Sequence, residues 1–243
     1  AIDEAARIRT ALQREPIHRV RTTRAVLDIW EAYSRATRGV QDDASKAKEL
    51  LDRAIRILTN YLEELGFEQY SPVDDFAVEL GEYKTAAKEL RTWRAKAVLA
   101  FAHRVRGYLL RGQQRLFDAI DDYQKASRLW QDVNILVEDA ATRNDLGRAL
   151  GDANEWDSAR DLIHEALHIR RDRLGLWSAV GLSINTLAVL SVAEDRHSDA
   201  RVHAQNALAI FEALTFPRGI ALAYAILAEA TRRLAISDLE PPN

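Results

Sequence analysis

Apolar residues recur along this chain at intervals of three and four, the spacing of an α-helix with one buried face. The segment 44–58 shows it plainly, with Ala47, Leu50, Leu51, Ala54, Ile55 and Leu58 on one side. The same pattern predicts a helix near 2–13 that stops before Pro16, a second over 17–38 ending at Gly39, and a third capped by Asp43 and ending at Gly66. Ser71, Pro72 and Asp75 read as a fresh N-terminus: hydroxyl cap, proline in the first turn, acid near the dipole. One long helix then runs from 73 to 111, with Gly81 as a weak point, in preference to a further degenerate repeat. After Gly112, helices are expected over 114–130, 133–151, 155–173, 176–193, 197–215 and 218–236, followed by a frayed tail, 237–243, containing Pro241 and Pro242.

The pattern also repeats at longer range. Leu146-Gly147, Leu150, Trp156, Ala159, Ile163, Ala166 and Leu167 superimpose, 41 residues on, on Leu187-Ala188, Ser191, His197, Ala200, Ala204, Ala207 and Leu208. Moved back by 40 they meet Arg106-Gly107, Leu110, Ala119, Tyr123 and Ala126, and Leu227-Ala228 opens a unit whose second helix is missing. An earlier unit reads through Trp30, Tyr33, Ser34, Ala47, Leu51 and Ala54. Small residues thus form ladders: Gly107, Gly147, Ala188 and Ala228 on first helices, then Ala119, Ala159 and Ala200, and Ala126, Ala166 and Ala207, on second helices. Small side chains let paired helices touch closely, while the large residues between them fill the next gap.

These residues resemble the tetratricopeptide repeat family, whose large-small, aromatic, small, large, small positions are held by Leu146-Gly147, Trp156, Ala159, Ile163 and Ala166. The resemblance is strongest over 100–236, and its repeats are longer than the family's usual ~34 residues, like those of kinesin light chains and of sensor regions in bacterial signalling proteins. Arg171 stands where the family usually closes a repeat with proline. The resemblance implies an all-α fold, an α-solenoid of antiparallel helix pairs in a right-handed superhelix with one long central helix. The domain reading is 1–99, an N-terminal helical region with one degenerate repeat, then repeats over 100–236, then the tail.

Composition agrees. Among 243 residues there are 39 Ala and 28 Arg but only 10 Gly and 5 Pro, which favours helices and disfavours many-turned sheets. The absence of cysteine excludes disulfides, thiol nucleophiles and Cys-ligated metals, and suits the cytoplasm. A net charge of −3 gives no electrostatic support for general nucleic-acid binding, and no apolar run approaches the ~20 residues of a membrane span. A chain that opens at Ala1 and lacks methionine is expected to be a piece of a longer protein whose other part carries the activity.

Candidate chemistry is sparse. His164-Glu165-Ala166-Leu167-His168 matches the zinc-hydrolase pattern, two histidines four apart on a helix with a glutamate base. That enzyme is the alternative reading, because Ala166 and Leu167 already serve packing and no further histidine extends the motif. Asp121-Asp122 and Asp74-Asp75 read as solvated carboxylates, and the basic runs 19–24 and 170–173 as solvated faces. No phosphate loop or nucleophile elbow occurs, and no catalytic residue or cofactor is assigned.

The better signal lies on first helices, which the resemblance places along a concave groove. Its groove positions are Phe101, Arg104, Tyr108 and Arg111, then Ala141, Asn144, Arg148 and Asp152, then Leu182, Asn185 and Val189, and finally Ala225, Glu229 and Arg232. Asn144 and Asn185 recur 41 residues apart, and an amide that donates and accepts can hold an extended peptide backbone. Arg104, Arg111 and Arg148 can take carboxylates. The expected function is a non-enzymatic protein- or peptide-binding scaffold in a bacterial signalling or regulatory protein. Self-assembly through the open last unit (Ile220, Tyr224, Leu227 and Leu234) is a further possibility.

Overall fold

The computed structural model describes residues 17–38, 41–67 and 75–237, and every described element is helical. The helices are α1 (Ile17–Arg38), α2 (Gln41–Phe67), α3 (Asp75–Gly112), α4 (Leu116–Asp132), α5 (Leu136–Asp152), α6 (Trp156–His168), α7 (Trp177–Ala193), α8 (His197–Ala213) and α9 (Pro217–Ser237). The expected helix near 2–13, the start at Ser71-Pro72 and the tail 238–243 lie outside the described residues. The long helix is present as α3, with no break at Gly81. Residues 99 and 100 fall inside it, and the chain divides into two compact units between Ile135 and Leu136.

In the first unit α1 packs on α2, α2 on α3 and α3 on α4, while α1 also touches α3. In the second, α5 to α9 stack in the same way, each on the next, with α5 touching α7 and α7 touching α9. First helices thus line up side by side within each unit, and second helices cover them. The ladders lie at these seams. Ala119, Ala126, Ala159, Ala166, Ala188, Ala200 and Ala207 have no accessible surface. A side chain added at Gly147 would meet Ile163 Cγ1 at 2.7 Å and the Ala159 carbonyl oxygen at 3.0 Å, so the α5 backbone runs close against both a side chain and the main chain of α6 there. The fourth rung behaves differently: Ala228 on α9 is exposed, since no second helix follows to cover it.

From α4 onward, helices start at 116, 136, 156, 177, 197 and 217, intervals of twenty except one of twenty-one. A left-handed residue stands two places before each start: Gln114, Asn134, Asn154, Gly175, Asp195 and Thr215, with φ between 48° and 63°. Each ends the preceding helix with a tight turn, as where Asn154 N–H bonds to Gly151 and Glu155 N–H to Leu150. Asparagine and glycine adopt this conformation readily; a β-branched threonine at 215 does not.

The extra residue of the 41-residue spacing has a structural cause. The helix expected over 155–173 is α-helical only to His168, then continues as a π-turn, Ile169–Arg173. A π-turn holds one residue more than an α-turn, so the insertion is absorbed without breaking the stack. Arg170, read as part of a solvated basic face, is buried and donates to Ser183 Oγ at 2.6 Å and the Ala179 carbonyl at 3.1 Å. The backbone rotation of the π-turn aims it inward.

Two further expectations are corrected. Asp43 is no N-cap; it lies in the first turn of α2 and accepts Arg35 at 2.8 Å and Arg38 at 3.1 Å. The core side of α1 is Ala25, Ile29 and Ala32, whereas Trp30 and Tyr33, read as repeat-packing positions, are 54% and 41% exposed. Spacings of four and three from Ala25 define the buried stripe, and Trp30 and Tyr33 each sit one position past it.

Candidate functional site

In the second unit, the candidate surface is built from α5, α7 and α9. Asn144 lies at the α5–α7 seam, where its Nδ2 donates to Thr186 Oγ1 at 3.3 Å and Thr186 in turn donates to the Leu182 carbonyl at 2.9 Å. The Asn144 Oδ1 is buried and accepts no hydrogen bond. Asn185 repeats this on α7, again with a buried, unbonded Oδ1. The matching register on α9 carries Ile226 instead of threonine, which offers no oxygen to the amide. Arg148 is exposed one turn beyond Asn144, and Val137 and Val189 are 45% and 43% exposed nearby on α5 and α7. Glu229 and Arg232 pair with each other at 2.6 Å, and Arg233 also donates to Glu229 at 2.8 Å. Those two arginine hydrogen bonds hold the Glu229 carboxyl down at about 2.

In the first unit, Arg104, Tyr108 and Arg111 follow Phe101 along one side of α3. Tyr108 is half exposed, and Arg104 and Arg111 are half-buried. Trp30 of α1 lies 6.0 Å from Phe101 and 6.3 Å from Tyr33, ring centre to ring centre.

A charged cluster that sequence reasoning missed sits where α2, α3 and α4 meet. Asp122, 1% exposed, takes Arg106 Nε at 2.6 Å and Arg106 Nη2 at 2.7 Å, and lies 2.7 Å from His103 Nδ1. Arg106 Nη1 reaches on to Asp52 at 2.8 Å, which also accepts Lys48 at 2.5 Å. Burial pushes the Asp122 carboxyl up, but the hydrogen bonds from Arg106 and His103 outweigh it and hold the group below the usual carboxylate range. Asp122 is therefore not a solvated carboxylate, although Asp121 is, paired to Lys125. The signal was present in the repeat alignment: Arg106 stands where the other units have Leu146 and Leu187, so a charge at an apolar place required a buried partner. The cleft beside the cluster is neutralised from within, Lys48 on Asp52 and Arg115 on Asp118.

The histidine motif is occupied by local contacts. Glu165 accepts an ion pair from Arg143, and His168 Nδ1 lies 2.6 Å from Asp172. His164, Glu165 and His168 are exposed, and among the described residues no three histidine, aspartate or glutamate side chains are placed to share a metal ion.

Residues 140–176, from α5 through the π-turn, match the tetratricopeptide repeat family. The chain carries a tetratricopeptide repeat. Among solved structures, the apo form of RapI is similar at a TM-score of 0.63 and 13% identity, covering 98% of this chain and 77% of that one. BtubC from P. vanneervenii is similar at a TM-score of 0.47 and 15% identity, covering 94% and 95%. No curated protein matches the chain. The helical repeat fold is thus shared with RapI, and no described helix is long and apolar enough to cross a membrane.

Proposed function

We propose that this chain is a non-catalytic scaffold that holds a protein segment in extended form along the first helices of its second unit. The tetratricopeptide match and the RapI-like fold support a protein-interaction scaffold in general. The observation carrying the finer reading is the pair of equivalent asparagines whose buried Oδ1 atoms lack a donor. A buried acceptor without a partner costs about 1–3 kcal/mol, and a rotation of the amide that turns its oxygen out to a ligand backbone N–H recovers that cost. Two such acceptors on successive first helices grip a backbone without reading its sequence, while Arg148 is available for a carboxylate and Val137 and Val189 for apolar side chains. The reading includes a place in a cytoplasmic bacterial regulator or signalling protein and assigns no cofactor.

Binding to an array of immobilised peptides tests it, followed by titration of the strongest binder against Asn144→Ala and Asn185→Ala. Each variant is expected to weaken binding about tenfold. Unchanged affinity in both removes the asparagine pair from the site.

A second reading, self-association, is favoured by α9. Its Ala221, Ala228 and Thr231 are exposed, whereas the α7 residues in the same register, Gly181, Ala188 and Ser191, are buried beneath α8. Light scattering across protein concentrations, with Ala228→Glu as the disrupting variant, decides it. A monomer at every concentration ends this reading.

A further inference from the structure

The two asparagines of the second unit are not held alike, and the difference lies in one hydroxyl. Asn144, Asn185 and Thr186 are all buried. Thr186 Oγ1 has a single proton and donates it to the Leu182 carbonyl at 2.9 Å, so towards Asn144 it acts only as an acceptor. It accepts Asn144 Nδ2 at 3.3 Å. The amide is thereby held by its nitrogen, while Oδ1, which needs a donor, finds none. A threonine hydroxyl bonded to the carbonyl four residues back is ordinary within a helix, and Thr142 and Thr231 do the same with Glu138 and Leu227. Thr186 adds to this a bond to an asparagine on a different helix. On α9 the equivalent place is taken by Ile226, so no oxygen at that register grips the Asn185 amide.

We infer that Thr186 is a positioning residue, a latch whose hydroxyl keeps the Asn144 amide turned in and must let go when a segment binds, whereas Asn185 turns without one. With the asparagines as the gripping pair, the reading on which the latch rests, a ligand N–H meets Oδ1 only after the amide turns outward. That turn breaks the Nδ2–Oγ1 bond of Asn144. At Asn185 there is no such bond to break, because isoleucine offers no acceptor. A neutral hydrogen bond contributes modestly net, so opening the latch lowers affinity only about threefold. The effect has a sign that a packing role lacks. Valine at 186 keeps the shape of threonine and removes the acceptor. The Leu182 carbonyl still accepts the N–H of residue 186 within α7, so no backbone acceptor is orphaned. Losing the hydroxyl weakens the closed α5–α7 seam, yet it eases the turn of Asn144 and so strengthens binding.

Two measurements on the full chain test this. One is the χ1 rotamer of each asparagine, read from three-bond NMR couplings without any ligand. The other is the anisotropy of a fluorescein-labelled, end-blocked octapeptide of alternating valine and serine. In the parent, Asn144 is expected in one rotamer and Asn185 averaged over several. Thr186→Val is expected to release Asn144 into averaging and to tighten the octapeptide about threefold. Thr186→Ser, which restores the hydroxyl, is expected to return both measurements to the parental values. Ile226→Thr is expected to fix Asn185 in one rotamer and to weaken the octapeptide about threefold. Urea midpoints confirm that each variant folds, and Ile226→Thr, at a half-buried place, carries the test should Thr186→Val unfold. The latch is overturned by Asn144 couplings that ignore the loss of the hydroxyl, or by octapeptide binding that weakens or stays constant in a folded Thr186→Val. If the couplings respond as expected but the octapeptide binds no chain, parent included, the asparagine reading fails while Thr186 is upheld as the group that holds Asn144.

Discussion

Replacing Gly147 with alanine tests the physical basis of the stack. Helix propensity alone predicts a gain of about 1 kcal/mol, since glycine is the poorer helix former. The structure predicts the opposite sign. The new Cβ would lie 2.7 Å from Ile163 Cγ1 and 3.0 Å from the Ala159 carbonyl oxygen, and the carbonyl belongs to α6 and cannot yield without moving that helix. Overpacking of this kind costs about 1–3 kcal/mol, and against a backbone atom the upper part of that range applies. The net expectation is a loss of about 1–2 kcal/mol. Gly151, one turn further along α5, provides the control. There the nearest atom is the Leu190 Cδ1 tip at 2.6 Å, which can rotate away, and the next is Trp156 at 4.0 Å. Gly151→Ala is therefore expected to be neutral or to stabilise by a few tenths of a kcal/mol. Urea denaturation followed by circular dichroism measures both variants. If Gly147→Ala matches or exceeds the parent while Gly151→Ala is destabilised, close helix approach at the small residues is not what holds the pairs together.

Phe211 has no accessible surface and fills the gap between Ala207 and Ala223, with Phe216 at 5.6 Å; Phe211→Ala is expected to cost about 3–5 kcal/mol, read as an earlier urea midpoint. Thr215 holds φ of 48° at a turn where the chain elsewhere uses Asn134 and Asn154, so Thr215→Asn is expected to raise stability by about 1 kcal/mol in the same assay. Asp122 has a folded pKa below its unfolded value, so its stabilisation is fully present above the ordinary carboxylate range and is lost as pH falls through the lowered value. Acid titration of stability should show that loss in the parent and a flatter profile in Asp122→Asn, which also lowers stability near neutral pH because Arg106 keeps only Asp52 as a counter-ion.

Much of the architecture was legible because it rests on local chemistry repeated in register. Helix boundaries after Gly112 fall within a few residues of expectation since each is set by a turn of fixed form, and the ladders of alanine and glycine mark the seams directly. The candidate site was legible only in part. Asn144 and Asn185 could be paired by their spacing, but that both Oδ1 atoms are buried without a donor, and that the Asn144 amide N–H finds Thr186 where Asn185 faces the register of Ile226, depended on what the next helix placed opposite. Glu229 and Arg232 read as groove residues one by one, yet their spacing of three brings them into an ion pair.

The sequence by itself determined that the chain forms helices, where most of them turn, and which small residues let them touch, because those properties depend on neighbours within a few positions and on a repeat that can be counted. Tertiary structure alone decided that Trp30 and Tyr33 face outward, that Asp122 is buried with Arg106 and His103, and that the extra residue of one repeat is taken up by a π-turn that turns Arg170 inward. Each of these depends on the angle at which one helix meets another. A shift of one residue turns a helical position by roughly 100°, enough to carry a side chain from core to surface, and that angle is fixed by packing between distant segments.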